Sequence, residues 1–241
     1  MQRVEHVMGM PIVVEVRDAE VDEADLDPVF AWFRWVDAVF STYKDDSEVS
    51  RINRGELALA DADPAVHTVF GICEELRAVT EGFFDARAAS PEFLDPSGLV
   101  KGWSVDRAAA ILDAAGVRSY AVNAGGDMWL RGGVWRVGIQ HPLERGAVAK
   151  VIEATDLAVA TSGAYARGDH VLDPHTRRPP TGVLSVTVTG PDLATADAYA
   201  TAAFAMGAER APHWTARLRG YEAMTILADG RVLSTPGFPG I

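Results

Sequence analysis

The sequence has little cysteine, no excess of positive charge and no long apolar run. Its single cysteine, Cys73, excludes an internal disulfide framework and a zinc cluster built from cysteines; its place on an apolar helical face predicts a buried structural thiol. No 18 consecutive residues are apolar, so no membrane insertion is predicted. The formal net charge of -12 argues against a nucleic-acid partner, because a protein that covers phosphates needs a basic face. An acidic chain that binds an anion needs a local device, such as a metal ion or a few placed cations.

Helical and strand patterns come in groups along the 241 residues rather than in strict alternation. This grouping favours an α+β fold, with a largely antiparallel sheet and packed helices. No linker, repeat or low-complexity segment divides the chain, so we expect a single domain over residues 1–241. The patterns predict helices at 27–43, 63–82, 104–115 and 192–207, and strands at 9–18, 120–142 (three strands), 148–162 (two strands) and 182–190, with a final hairpin at Asp229 and Gly230.

Two glycine-containing stretches are candidates for contact with a ligand. Gly98 and Gly102 bracket Lys101 just before the helix predicted at 104–115, and a lysine beside a helix N-terminus attracts phosphate. The spacing differs from that of a Walker loop, so this signal alone is weak. Further along, Asn123 ends a predicted strand before a Gly-Gly turn. That pattern fits either a plain hairpin or a ligand wall lined by backbone.

Asp197 and Thr201 are four residues apart in an alanine-rich helix, so they lie one turn apart on one face. An aspartate on a helix of buried character needs a partner. A hard cation such as Mg2+ would supply one, because it binds carboxylate, hydroxyl and carbonyl oxygens. The alternative is that Asp197 faces water or pairs with an arginine.

The stretch HVLDPHTRRPPTG, residues 170–182, combines turn-forming residues with His170 and Asp173. Its prolines and glycine predict a bend. The ordinary pKa of histidine, about 6.5, allows His170 to move a proton near neutral pH, although lone histidines are more often structural. The polar stretch 40–53 follows a predicted helix. Its role is also left undecided between function and structure, since capping and turn formation explain it as well.

Eight short segments cover most of the chain from Met8 to Gly207. In order they read MGMPIVVEV, FSTYKDDSEVSRIN, GFFDAR, SGLVKGWSVDRAAAIL, YAVNAGGDMWLRG, VATSGAYAR, HVLDPHTRRPPTG and SVTVTGPDLATADAYATAAFAMG. Taken together they resemble the ApbE family, the FAD:protein FMN transferases, and their common order makes chance improbable. The resemblance implies the T-fold-like architecture of that family and an enzyme that moves FMN from FAD onto a Thr or Ser hydroxyl of an acceptor protein, with Mg2+, releasing AMP.

The resemblance also implies roles for individual residues. His170 matches the family's catalytic histidine, which assists removal of the proton from the acceptor hydroxyl. Asp197, Thr201 and the backbone carbonyl of Gly98 match the Mg2+ ligands. The residues that match positions contacting or lining FAD are Met8, Tyr43, Phe83, Phe84, Asp85, Asp95, Lys101 and Asn123.

Three departures from the family pattern concern acceptor specificity more than FAD binding. The segment after Asp85 is shorter than usual, Ala164 replaces an acidic residue of a TSGDY motif, and Arg177 stands where a DPxTG motif has glycine, which comes only at Gly182. Two other functions would use the same site: an FAD pyrophosphatase that gives FMN and AMP, and an FAD-binding carrier or sensor without turnover. Many family members are exported lipoproteins, whereas this sequence shows neither a signal peptide nor a lipobox cysteine, so we expect a cytoplasmic protein.

Overall fold

A computed structural model describes residues 1–144, 146–163 and 171–240 of the chain. Within these residues we number the helices α1 to α5 and the strands β1 to β10 in chain order. The helices are α1 Asp27–Phe40, α2 Glu48–Asn53, α3 Pro64–Val79, α4 Ser97–Ala114 and α5 Leu193–Thr215. The strands are β1 Gln2–Val7, β2 Met10–Val16, β3 Tyr120–Ala124, β4 Asp127–Arg131, β5 Trp135–Gln140, β6 Val148–Ala154, β7 Leu157–Gly163, β8 Val183–Gly190, β9 Glu222–Leu227 and β10 Val232–Ser234.

Eight of the strands form one antiparallel sheet, in the order β1-β2-β3-β4-β7-β8-β9-β10, and β5 pairs with β6 in a separate hairpin. Helix α5 packs on β7 and β8, and α4 packs between α5 and α1. The prediction of an α+β fold with a largely antiparallel sheet is therefore confirmed. Among the described residues, no helix has the length and apolar character needed to cross a membrane.

The main hydrophobic core lies between the large sheet and the helices, and a smaller one lies under the β5–β6 hairpin. Cys73 is 2% exposed in the main core, and burial raises the pKa of its thiol to about 12. The prediction of a buried structural thiol is confirmed. The thiol stays protonated at neutral pH, so it has no thiolate with which to react.

The N-terminal strand β1 is absent from the sequence prediction, which began its first strand at residue 9. Most of β1 is exposed or half-buried, since it is the edge strand of the sheet and carries polar residues, so it lacks a clear apolar signal. A two-residue turn joins it to β2, with Met8 at φ 58° and Gly9 at φ 72°. Positive φ at both central residues is the geometry that suits a tight hairpin.

Two predicted helix boundaries were wrong. Helix α4 begins at Ser97 rather than Ser104, so Gly98, Lys101 and Gly102 lie inside the helix and not in a loop before it. Helix α5 continues past Gly207 to Thr215, although Gly207 interrupts it with φ 71° and ψ -176°. At the start of α4, packing against another part of the chain permits the two glycines, as described below for Gly102.

Candidate functional site

The junction between α4 and α5 positions the polar residues of the site. The carboxylate of Asp106 on α4 accepts hydrogen bonds from Leu193 N at 2.9 Å and Ala194 N at 2.8 Å, which are the first backbone donors of α5. A Cβ on Gly102 would lie 2.4 Å from the carbonyl oxygen of Leu193, so only glycine permits this approach. The two helices are thus held in contact at the level where Lys101 faces Asp197.

Lys101 lies between two buried carboxylates. Its Nζ contacts Asp127 Oδ2 on β4 and is 3.4 Å from Asp197 Oδ1 on α5. The side chains of Asp127 and Asp197 are each 2% exposed. Asp127 Oδ1 accepts a hydrogen bond from Thr161 N at 2.8 Å, and Asp197 Oδ2 accepts one from Gly102 N at 3.2 Å. The cluster therefore links α4, α5, β4 and β7.

With both carboxylates ionised, the cluster carries a net negative charge, because they outnumber one ammonium group. Burial raises the pKa of Asp197; the positive charge of Lys101 opposes this shift and the negative charge of Asp127 adds to it. A buried carboxylate is costly to ionise unless nearby positive charge compensates it. The arrangement therefore favours binding of a further cation next to Asp197.

Thr201 lies one turn after Asp197 on α5, and Gly98 on α4 packs against Thr201. Thr201 Oγ1 is 3.2 Å from Ser162 Oγ, and a Cβ built on Gly98 would lie 3.7 Å from Thr201 Oγ1. Within the described part of the chain, no three His, Cys, Asp or Glu side chains form a metal-binding group. A cation here would instead use one carboxylate, one hydroxyl and backbone oxygen, which is a donor set that suits Mg2+.

A cavity of about 1270 Å³ opens over this cluster. Ligand pockets commonly measure roughly 300–1,000 Å³, so this one has room for a large ligand. The aromatic residues of its wall differ in exposure: Tyr43 is 89% exposed, whereas Phe83 and Phe84 are 5% and 3% exposed. The residues predicted to contact FAD or Mg2+ all line it where they are described, namely Met8, Tyr43, Phe83, Phe84, Asp85, Asp95, Gly98, Lys101, Asn123, Asp197 and Thr201.

Asp85, Asp95 and Asn123, outside the charged cluster, are also held by hydrogen bonds from neighbouring residues. Asp85 accepts hydrogen bonds from Arg77 Nε and Arg87 N, and Asp95 Oδ1 accepts one from Ser97 N at the start of α4. Asn123 Oδ1 accepts one from Gly126 N at 2.9 Å inside the β3–β4 turn. The hairpin interpretation of Asn123 is therefore correct, and the turn also forms part of the cavity wall.

Comparison with known proteins assigns the chain to a family. The model of the ApbE family matches residues 8–91 and 86–225. This chain belongs to the ApbE family. Its resemblance to that family, inferred from eight short segments, is confirmed.

Known ApbE proteins resemble the chain in sequence and in fold. It is 37% identical over 163 residues to an FAD:protein FMN transferase of Rhodobacter capsulatus, which is 62% of this chain and 31% of that protein. It is 40% identical over 133 residues to one of Vibrio cholerae, which is 49% of this chain and 40% of that protein. The chain thus matches less than half the length of either relative.

Two solved ApbE structures superpose on almost the whole chain. The flavin transferase ApbE from Vibrio cholerae has a TM-score of 0.86 at 25% identity, covering 99% of this chain and 98% of that one. The ApbE protein from Thermotoga maritima has a TM-score of 0.88 at 22% identity, covering 99% and 97%. The second likeness is evidence of the fold alone.

Sequence reasoning assigned no site role to Asp127, Thr161 or Ser162 of this ApbE chain. Asp127 follows Gly-Gly directly, where the turn after Asn123 leads into β4. Thr161 and Ser162 lie in β7, where alternation alone does not distinguish a polar wall from an exposed face. One signal is present in the sequence: Asp127 opens the apolar run Met128, Trp129 and Leu130, and an aspartate in such surroundings needs a partner, as Asp197 does in its helix.

The loop after Pro174 is tied to the cavity wall. Asp173 and Arg178 form an antiparallel bridge, and the side chain of Asp173 accepts hydrogen bonds from His175 N and Thr176 Oγ1. The His175 ring packs edge-on against Phe83, with 4.6 Å between the ring centroids. The predicted bend is therefore present as a closed turn, and Arg177, the position that the motif resemblance matched to a glycine, has a positive φ of 55°. His170 and Ala164 lie outside the described residues.

Proposed function

We propose that this ApbE-family chain transfers FMN from FAD to a Ser or Thr hydroxyl of an acceptor protein and releases AMP, in a reaction that depends on Mg2+. One observation carries the proposal: Asp197, Thr201 and Gly98 line the same cavity as the FAD-matching residues, with Gly98 packed against Thr201. The names of the sequence relatives support the activity. We also propose that residues 1–241 act as one unit.

Asp197, Thr201 and the carbonyl of Gly98 would hold Mg2+. When bound there, the ion supplies positive charge that neutralises the pyrophosphate and stabilises the departing AMP. The chain's own task is to place these oxygens, and the Asp106 cap and the Gly102 contact do so by fixing α5 against α4. Such positioning contributes much of the rate in phosphoryl transfer.

The reaction forms one bond and breaks one. The acceptor hydroxyl oxygen bonds to the phosphorus of the FMN half, and the bridging oxygen leaves with AMP, taking the electron pair of the broken P–O bond. In our proposal His170 accepts the hydroxyl proton, as its match to the family motif implies. Phe83, Phe84 and Met8 would form the apolar part of the nucleotide site, since they line the same cavity.

The test is incubation of the protein with FAD, Mg2+ and candidate acceptor proteins, followed by flavin fluorescence in a denaturing gel. We expect a covalent fluorescent band that Asp197→Asn and Thr201→Val reduce by at least about tenfold, as expected when one ligand of a metal site is lost. Asp45→Asn is the matched control, because Asp45 is fully exposed. Rapid AMP release without an acceptor would instead indicate a pyrophosphatase, and stable binding of intact FAD would indicate a carrier.

A further inference from the structure

Lys101 does not sit evenly between its two carboxylates. Its Nζ is in close contact with Asp127 Oδ2, whereas Asp197 Oδ1 is 3.4 Å away. Asp127 is itself fixed, because its other oxygen accepts the Thr161 N–H at 2.8 Å on the neighbouring strand β7. The ammonium group is therefore held on the β4 side of the cluster.

Asp197 is held more weakly. Its two oxygens have a backbone hydrogen bond of 3.2 Å from Gly102 and the 3.4 Å approach of Lys101. Charge-assisted hydrogen bonds to a carboxylate typically measure about 2.7–2.9 Å, so both interactions are long for a side chain that is 2% exposed. Asp197 keeps the capacity to bind a cation at close range, and Thr201 follows it one turn later on the same helix.

We propose that Asp127 is a positioning residue for the cation site: it holds the Lys101 ammonium away from Asp197 and so keeps that carboxylate available to a divalent cation. The inference rests on the metal site of the proposed function and adds a residue to it. If Asp127 lost its charge, Lys101 would have Asp197 as its remaining carboxylate in the cluster. The lysine would then move toward Asp197 and compete with the metal.

The experiment measures binding of Mn2+ to the whole protein by electron paramagnetic resonance, so its readout does not depend on turnover. Asp127→Asn removes the charge and keeps an oxygen that can accept the Thr161 N–H. We expect it to weaken Mn2+ binding by about tenfold, within the range measured for coupled neighbouring residues. Lys101→Met removes the competing cation, and we expect it to tighten Mn2+ binding by about threefold or more.

The double variant tests whether Asp127 acts through the lysine. In the Lys101→Met background, Asp127→Asn should weaken Mn2+ binding by no more than about threefold, which is the part due to cluster charge alone. Asp45→Asn controls for loss of one negative charge elsewhere and should leave Mn2+ affinity unchanged. Thermal unfolding of each variant monitors folding.

Several outcomes would overturn the inference. These are unchanged Mn2+ affinity in Asp127→Asn, an equal loss in both backgrounds, or unchanged or weaker binding in Lys101→Met. The Mn2+ affinity of Lys101→Met tests the inference even if Asp127→Asn does not fold. Absence of Mn2+ binding in the unaltered protein would remove this inference together with the metal site. Normal Mn2+ binding with no FMN transfer to any acceptor would refute the proposed function and leave the role of Asp127 intact.

Discussion

Replacement of Gly102 by alanine should damage both stability and the site, although alanine is the better helix former. A Cβ at this position would lie 2.4 Å from the carbonyl oxygen of Leu193, 2.7 Å from its carbonyl carbon and 2.9 Å from the Cα of Ala194. All three are backbone atoms, so no side-chain rotation relieves the clash. An ordinary contact is at least about 3.4 Å, so α4 and α5 must separate by roughly 1 Å.

The size of the effect follows from two opposing terms. Overpacking of this kind costs about 1–3 kcal/mol, while alanine regains about 1 kcal/mol of helix propensity relative to glycine. We expect a net loss of stability of up to about 2 kcal/mol. The larger consequence is for function, because the same shift lengthens the Gly102 N–Asp197 hydrogen bond and the two bonds from α5 to Asp106. A misplacement of about 1 Å at a catalytic site can reduce the rate by about a hundredfold.

Gly71 provides a matched control for this substitution. It lies within α3, where a Cβ would meet nothing within 4 Å, so Gly71→Ala should raise stability by up to about 1 kcal/mol and leave activity unchanged. Urea denaturation measures the stabilities, and the gel assay for covalent flavin measures the activities. The reasoning fails if Gly102→Ala is as stable as Gly71→Ala, or if it retains more than about a third of the transfer rate.

Two further predictions concern charge. Removal of divalent cations with a chelator should weaken FAD binding by at least about tenfold, because the Lys101, Asp127 and Asp197 cluster is net negative and repels pyrophosphate. Fluorescence titration measures the FAD affinity, and equal affinity with and without Mg2+ would contradict this prediction. Burial raises the pKa of Asp106 from 3.8 to about 6, so the folded state binds the proton more tightly than the unfolded state does. The free energy of unfolding should therefore fall as the pH rises from about 4 to 6, by at most roughly 3 kcal/mol. Asp106→Asn should flatten that part of the stability curve measured by urea denaturation, and an unchanged slope would show that Asp106 is not responsible.

The sequence predicted most of the elements because their signals are local. Periodic apolar residues define α1 and α3, and turn residues mark the later hairpins. The start of α4 could not be predicted in this way, because Gly98 and Gly102 reduce helix propensity and their compensation is a contact with α5, far along the chain. The site role of Asp127 could not be predicted for the same reason, since its partners Lys101 and Thr161 are distant in sequence.

The site also changes how an acidic chain could bind an anion. The sequence pattern places Lys101 beside a helix N-terminus, where a lysine attracts phosphate. In the structure, however, the lysine is already matched by Asp127 and outnumbered once Asp197 is counted. Lys101 alone therefore does not create a site for pyrophosphate. It balances a carboxylate that links β4 to β7, and in our proposal the positive charge that the phosphates require would come from a cation beside Asp197. On this view the Mg2+ dependence that we propose is a consequence of how the buried charges are paired. Loss of Lys101 should therefore change metal affinity more than it changes contacts to the nucleotide.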